Sequence, residues 1–169
     1  MQPMQVQPPG SIPLRPVVRY AGFWRRFVAY MIDQLLMGVV AFMVFLPGLA
    51  LLGLGMGAGM MEETEGAIGL VIAAIAAYLT AILVVVVLQW LYYALMESSN
   101  KQATLGKLAL GIIVTDMDGK RLTFGRATGR YFGKILSSLI LNIGFLMAAF
   151  TEKKQALHDL IASCVVVLK

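Results

Sequence analysis

The chain has 169 residues, of which 59% are hydrophobic and only 14% charged, with a mean hydropathy of +0.80. A soluble domain of this size needs a larger polar surface, so composition excludes that class and points to a membrane protein of one compact domain. The net charge of +5 sits beside apolar segments, where it reports orientation in a membrane rather than nucleic-acid binding. Cys164 is the single cysteine, which excludes an internal disulfide.

In chain order, residues 1–19 hold five of the six prolines and no apolar core. They read as a disordered Pro/Gln-rich cytoplasmic tail, followed by a membrane domain over 20–169. The first predicted span begins after Arg25 and Arg26 and runs to about Leu52, interrupted only by Asp33 and Gln34. Residues 53–66 are expected to be a loop; they are rich in Gly and Met, carry Glu62, Glu63 and Glu65, and contain no Lys or Arg. The second span covers Ala67 to Met96, long enough to cross with tilt. Trp90, Tyr92 and Tyr93 at its end, and Tyr20, Phe23 and Trp24 at the start of the first span, are expected to form interfacial belts. Gly69, Ala73, Ala77 and Ala81 make a small-residue ridge at spacing four, suited to packing against the first span or to dimerisation.

Basic residues flank the spans on one side only. Arg15, Arg19, Arg25 and Arg26 precede the first; Lys101, Lys107, Lys120, Arg121, Arg126 and Arg130 follow the second. The positive-inside rule then puts the N-terminus and the 97–130 segment in the cytoplasm. Beyond Glu97, Ile112–Thr115 is β-branched, Asp116–Gly119 supplies turn residues, and Lys120–Phe124 alternates again. This is a hairpin signal. The closing Cys164–Leu168 is also strand-like and is able to pair with Ile112–Thr115 as a small interfacial sheet. Tyr131–Phe150 is apolar but has Lys153 and Lys154 behind it. A re-entrant hairpin bent near Asn142-Ile143-Gly144 keeps those lysines inside; a short third crossing is the rival.

Asp33 is the residue that demands explanation. A carboxylate within a span is costly and marks a functional or assembly site. It follows Arg26 by seven residues, on one helical face and roughly 10 Å along the axis. The two are able to pair, directly or through water, if Arg26 reaches down the helix; the alternative partner for Asp33 is a cation on another element, or a transported proton or cation. His158-Asp159 is a second polar step, able to return to the end of the first helix and join them. Two readings stand side by side: an ionic latch that fixes helix register, or a cation or proton relay. His158 is the only histidine and has no His/Cys cluster around it, so neither a metal nor a cofactor is expected. Phosphate loops, nucleophile elbows and zinc-protease motifs are absent from the sequence, so no enzymatic activity is expected.

Three stretches carry a resemblance. They are Tyr20-Ala21-Gly22-Phe23-Trp24-Arg25-Arg26 through Asp33, Thr104-Leu105-Gly106-Lys107 through Val114 with Asp118-Gly119, and Leu157-His158-Asp159-Leu160-Ile161-Ala162-Ser163-Cys164-Val165-Val166. Together, in this order, they resemble the RDD family of membrane proteins over residues 20–169. The family is named for one arginine and two aspartates, which the resemblance places at Arg26, Asp33 and Asp159. Arg25, His158, Gly106 and Lys107 support that cluster. Ser163-Cys164 stands where the family commonly has Gly-Thr. The resemblance implies a small multi-pass membrane protein, with transport of an unidentified ligand suggested for the family and monovalent cation/proton antiport for some members.

The expected fold is therefore an all-α integral membrane protein with two full transmembrane helices, a re-entrant or short third helical element and a small cytoplasmic-side β-ribbon. The expected function is transport of a small cation or proton, antiporter-like, in the plasma (inner) membrane, with both termini cytoplasmic. The alternative is a non-transporting scaffold or assembly factor for another membrane complex, and a third reading is lipid or small-ligand binding at the interfacial aromatic and basic belt. Two spans and a hairpin enclose a pathway poorly, so the expected partners are the lipid bilayer and either further copies of the chain or another membrane protein.

Overall fold

A computed structural model describes residues 18–60, 64–139 and 143–169, so all of the expected N-terminal tail except Val18 and Arg19 lies outside the described residues. Two long helices dominate: α1 spans Phe23–Met60 and α2 spans Thr64–Ser98. Both are long and apolar enough to cross a membrane. Their β-branched content does not oppose helix there, because in hydrocarbon every backbone group must be bonded within its own segment.

The two helices form an antiparallel pair. Asp33 meets Tyr92, Gly48 lies beside Ala77 and Tyr78, and Gly55 lies beside Leu70 and Val71. Opposite faces present Leu35, Phe42 and Leu49 on α1 and Ile72, Leu79 and Val86 on α2, all exposed. Those rows at spacing seven are the surface offered to lipid.

Several expectations change here. Most of 53–66 is helix rather than loop: α1 runs on to Met60 and α2 begins at Thr64. Glycine is tolerated in such helices because lipid offers the backbone no alternative partner. Up to Ala81 the buried small residues of α2 are Ala67, Ala74 and Ala81, with Ala94 buried nearer its end, whereas Gly69 and Ala73 are exposed. A row at spacing four drifts around a straight helix, while a row at spacing seven stays close to one line. The belt at the end of α2 is also not lipid-facing throughout. Tyr93 is buried and Tyr92 bonds inward, while Trp24 is exposed as an interfacial residue should be.

The remaining elements gather at the end where α1 starts and α2 finishes. They are α3 (Leu105–Ala109), β1 (Ile112–Asp116), α4 (Phe124–Leu139), α5 (Ile143–Phe150), α6 (Leu157–Ile161) and β2 (Cys164–Leu168). β1 pairs antiparallel with β2, Val114 opposite Val166. The chain before α1 completes this ribbon: Ala21 N donates to Val166 O at 2.8 Å and Leu168 N donates to Arg19 O at 2.9 Å. Arg19 thus joins the folded unit, one residue earlier than the expected boundary. Ala21, Ala29, Ile112, Val114, Leu122, Cys164 and Val166 form the core beneath.

The expected hairpin forms only its turn. Asp116 Oδ1 accepts from the backbone of Asp118 at 3.0 Å and Lys120 at 2.7 Å, and Gly119 adopts φ +81°, where glycine carries no steric cost. Residues 120–123 make no strand. Leu122 turns into the core, and Thr123 Oγ1 accepts from Arg126 N at 3.4 Å as α4 begins. The place beside β1 goes to β2.

α4 and α5 are bent by 97°. Residues 140–142, which include Asn142 of the expected bend, lie outside the described residues. α5 folds back on its predecessor: a Cβ on Gly144 would meet Ser137 Oγ at 2.7 Å and Leu157 at 3.1 Å. Since β1 precedes this element and β2 follows it, the chain leaves and returns at one end.

α3 lies so close across α1 that a Cβ on Gly106 would sit 2.1 Å from Ala29 O and 3.0 Å from Asp33 Cγ. Gly106→Ala is expected to cost about 3 kcal/mol or more, read as a lower thermal midpoint of the purified protein in detergent. Gly38→Ala, with nothing within 4 Å of the new methyl, is the control and should be neutral or mildly stabilising. Equal midpoints for the two variants would refute the close approach.

Candidate functional site

Two polar constellations form where the start of α1 meets the end of α2. The first surrounds Asp33, which is 1% exposed. Its Oδ1 accepts from Tyr92 OH and Gly106 N, each at 2.8 Å, and its Oδ2 accepts from Thr104 Oγ1 at 2.6 Å. All three donors are neutral. They come from α2 and from the start of α3, so Asp33 fastens α1 to both.

The Arg26–Asp33 pair does not form. Arg26 Nε donates to Ala21 O at 3.0 Å, and Nη1 pairs with Asp159 Oδ2. Two turns of helix separate Arg26 from Asp33, and the arginine turns toward the helix start, where α6 delivers a nearer carboxylate.

The second constellation is ionic and centres on Arg130, which is 2% exposed. Its Nε and Nη2 donate to Asp159 Oδ1 at 2.9 and 2.7 Å, and its Nη1 donates to Glu97 Oε2 at 2.7 Å. Glu97 Oε1 accepts from Lys107 Nζ at 2.5 Å and from Lys134 Nζ at 3.4 Å. Asp159 Oδ2 also accepts from Ala156 N at 3.2 Å. Helices α1, α6, α4, α2 and α3 are therefore joined through one chain of charges: Arg26, Asp159, Arg130, Glu97, Lys107. Such pairs persist in a low dielectric only when each charge is compensated and its remaining hydrogen-bond sites are filled.

Titration in the segment outside the spans follows from this crowding. Burial raises the Asp159 carboxyl, but Arg130 and Arg26 outweigh it and hold the group far below the ordinary 3.8. Burial and the neighbouring Arg130 push Lys107 down to about 7, against the pull of Glu97. Burial pushes His158 down to about 3, so the ring is neutral at ordinary pH. The Cys164 thiol is raised to about 11, again by burial. It is a packed, protonated thiol.

A cavity of about 610 Å³ opens beside the network, with Arg26, Asp33, Lys107, Arg130, Lys134 and His158 in its wall. Among the described residues, no three His, Cys, Asp or Glu side chains gather to hold a metal.

The sequence-predicted residues divide cleanly. Arg26, Asp159 and Lys107 belong to the ionic chain, His158 Nε2 lies 3.5 Å from Asp159 Oδ1, and Gly106 serves Asp33 through its backbone. Arg25 is exposed and outside both constellations. Glu97, Arg130, Lys134, Tyr92 and Thr104 are not among the candidate site residues that the sequence offers. Signals existed for some of them. Glu97 is the only carboxylate between Glu65 and Asp116, and Arg126, Arg130 and Lys134 repeat at spacing four on one helix face.

The family model described as the RDD family matches residues 20–163. This chain belongs to the RDD family. Relatives of this RDD protein are known by sequence. It is 41% identical over 149 residues to the uncharacterized protein YxaI of Bacillus subtilis (strain 168), covering 88% of this chain and 97% of that protein. It is 32% identical over 154 residues to the uncharacterized membrane protein YteJ of the same organism, covering 88% and 80%. No solved structure matches the chain.

Removing one partner of a buried ion pair strands the other. Glu97→Gln leaves Arg130, Lys107 and Lys134 facing an amide and is expected to cost on the order of 3–5 kcal/mol, read by thermal or denaturant unfolding in detergent. A loss below about 1 kcal/mol would show that Glu97 is not a compensated buried charge. Acid gives a second test. Because the folded Asp159 pKa lies below its unfolded value, its contribution is complete above about pH 4 and is lost as pH falls further. Asp159→Asn should lower stability at pH 7 and flatten that acid limb. An unaltered limb would show that Asp159 does not carry it.

Proposed function

We propose that this RDD protein is a non-enzymatic membrane protein that binds an anionic ligand in the basic cavity, at the cytoplasmic face of the plasma membrane. One observation carries the reading. Four cations (Arg26, Lys107, Arg130, Lys134) surround the cavity, against the carboxylates of Glu97, Asp159 and Asp33. The carboxylates are already engaged by hydrogen bonds and ion pairs. Burial first, and then the neighbouring Arg130, push Lys107 down to about 7, so the cations crowd one another. An anion entering the cavity relieves that crowding, whereas a cation adds to it. The basic residues flanking the spans support the cytoplasmic placement. Two spans and a bent element support function as an oligomer or beside another membrane protein.

Transport of a small cation or proton is the second reading. It is favoured by Asp33, a buried carboxylate in the same cavity wall.

Inorganic phosphate is a suitable probe for the first. Purified full-length protein in neutral detergent should gain thermal stability in phosphate over chloride at matched ionic strength. Lys134→Gln removes a cavity cation yet leaves Glu97 two others, and should weaken the phosphate response about tenfold. The same midpoint in phosphate and chloride rejects the anionic reading. Cation-dependent proton flux in vesicles that disappears in Asp33→Asn, at equal protein level, would establish the second reading in its place.

A further inference from the structure

The cavity wall specifies more than a sign of charge. Three buried polar atoms on its lining residues have no hydrogen-bond partner among the described residues: Arg26 Nη2, Tyr93 OH and His158 Nδ1. Tyr93 is 3% exposed and His158 5%. Buried polar groups are normally satisfied, so three orphans on residues lining one cavity are groups that a small side-chain shift offers to a ligand.

Their chemistry is mixed. Arg26 Nη2 is a donor, and Tyr93 OH is free to donate. His158 Nε2 lies 3.5 Å from Asp159 Oδ1 without a hydrogen bond between them, so Nδ1 takes a donor or an acceptor according to tautomer. The site therefore asks for anionic oxygens together with a hydroxyl, which serves Nδ1 in either tautomer.

The rim tells where the ligand comes from. Phe27, Tyr30, Ile135 and Leu146 line the cavity, yet are exposed by 44%, 41%, 44% and 46% on their helices. All four belong to elements apolar enough to enter the membrane. The cavity mouth is thus shared with the lipid-facing surface, and an amphiphile reaches it sideways without leaving the leaflet. A volume of about 610 Å³ lies within the usual range for small-ligand sites.

We propose that the cavity receives the headgroup of an anionic phospholipid bearing a free hydroxyl, its acyl chains lying along Phe27, Tyr30, Ile135 and Leu146. This rests on the anionic-ligand reading above and narrows it to a membrane lipid. Phosphate oxygens accept from Arg26 Nη2 and Tyr93 OH, and the headgroup hydroxyl pairs with His158 Nδ1. A choline headgroup fits poorly. It has no hydroxyl for His158, and it brings a fixed cation against four others. A soluble phosphate ester offers the same polar contacts but leaves the apolar rim uncovered.

The test uses full-length protein, delipidated in neutral detergent, with three probes: phosphatidylglycerol, phosphatidylcholine and soluble glycerol 3-phosphate. Phosphatidylglycerol is expected to raise the thermal midpoint and stay bound in native mass spectrometry. Phosphatidylcholine should do neither, and glycerol 3-phosphate should bind at least tenfold more weakly than the anionic lipid. Tyr93→Phe deletes a hydroxyl that has no partner, so the lipid-free midpoint should hold while phosphatidylglycerol affinity falls about fivefold. Equal responses to the two lipids, or undiminished affinity in Tyr93→Phe, would overturn the proposal. Glycerol 3-phosphate binding as tightly as the lipid would overturn it too, while leaving the anionic reading in place. No response to either anion would remove both.

Discussion

The structure depends on keeping two carboxylates, Glu97 and Asp159, ionised out of water. Each is 1% exposed or less, and neither has a solvent shell to fall back on. Arg130 holds them apart and together, with one edge of its guanidinium on Asp159 and one amino group on Glu97. Arginine suits this position because its planar fork serves two acceptors at fixed angles and stays charged. The carboxylates come from α6 and α2, and the arginine from α4. Small errors in the placement of any one helix would leave a charge uncompensated, at a cost that burial makes severe. The network thus ties five helices together through charges that compensate one another.

Asp33 solves a similar problem by other means. It is bound by a phenol, a hydroxyl and a backbone amide, and Arg26 is committed elsewhere. A carboxylate among neutral donors is positioned rather than neutralised. That placement needs Gly106, since any side chain there would collide with α1. The two constellations divide the work: Asp33 fixes α3 and α2 to α1, and the ionic chain adds α4 and α6.

The cavity follows from this arrangement. The carboxylates are drawn into the network, and the cations that serve them also form its wall. Arg26 spends Nε and Nη1 on protein acceptors and leaves Nη2 unfilled. α5, bent across the end of α4, adds Phe145 to the same wall, and α6 adds His158. A basic, partly unsatisfied surface beside lipid-facing aromatics is a consequence of how the charges are shared.

The sequence by itself determined the membrane class, the two long helices and the strand character of Ile112–Thr115 and Cys164–Leu168. These are properties of contiguous residues: apolar runs longer than the hydrocarbon is thick, and β-branched runs bounded by turns. The importance of Arg26, Asp33 and Asp159 was legible too, through their cost in a membrane and the resemblance to RDD proteins. Only the tertiary structure decided who meets whom. Arg26 could be seen to need a carboxylate, but spacing along one helix suggested Asp33, whereas α6 brings Asp159 from 133 residues away. Glu97 looked like the boundary of a span until Arg130, Lys107 and Lys134 converged on it. The turn at Asp116–Gly119 was local and readable; its failure to become a hairpin was not, because β2 occupies the edge it would have used. Local pattern fixes what a segment is, and the pairing of buried charges depends on distances that exist only after the helices have packed.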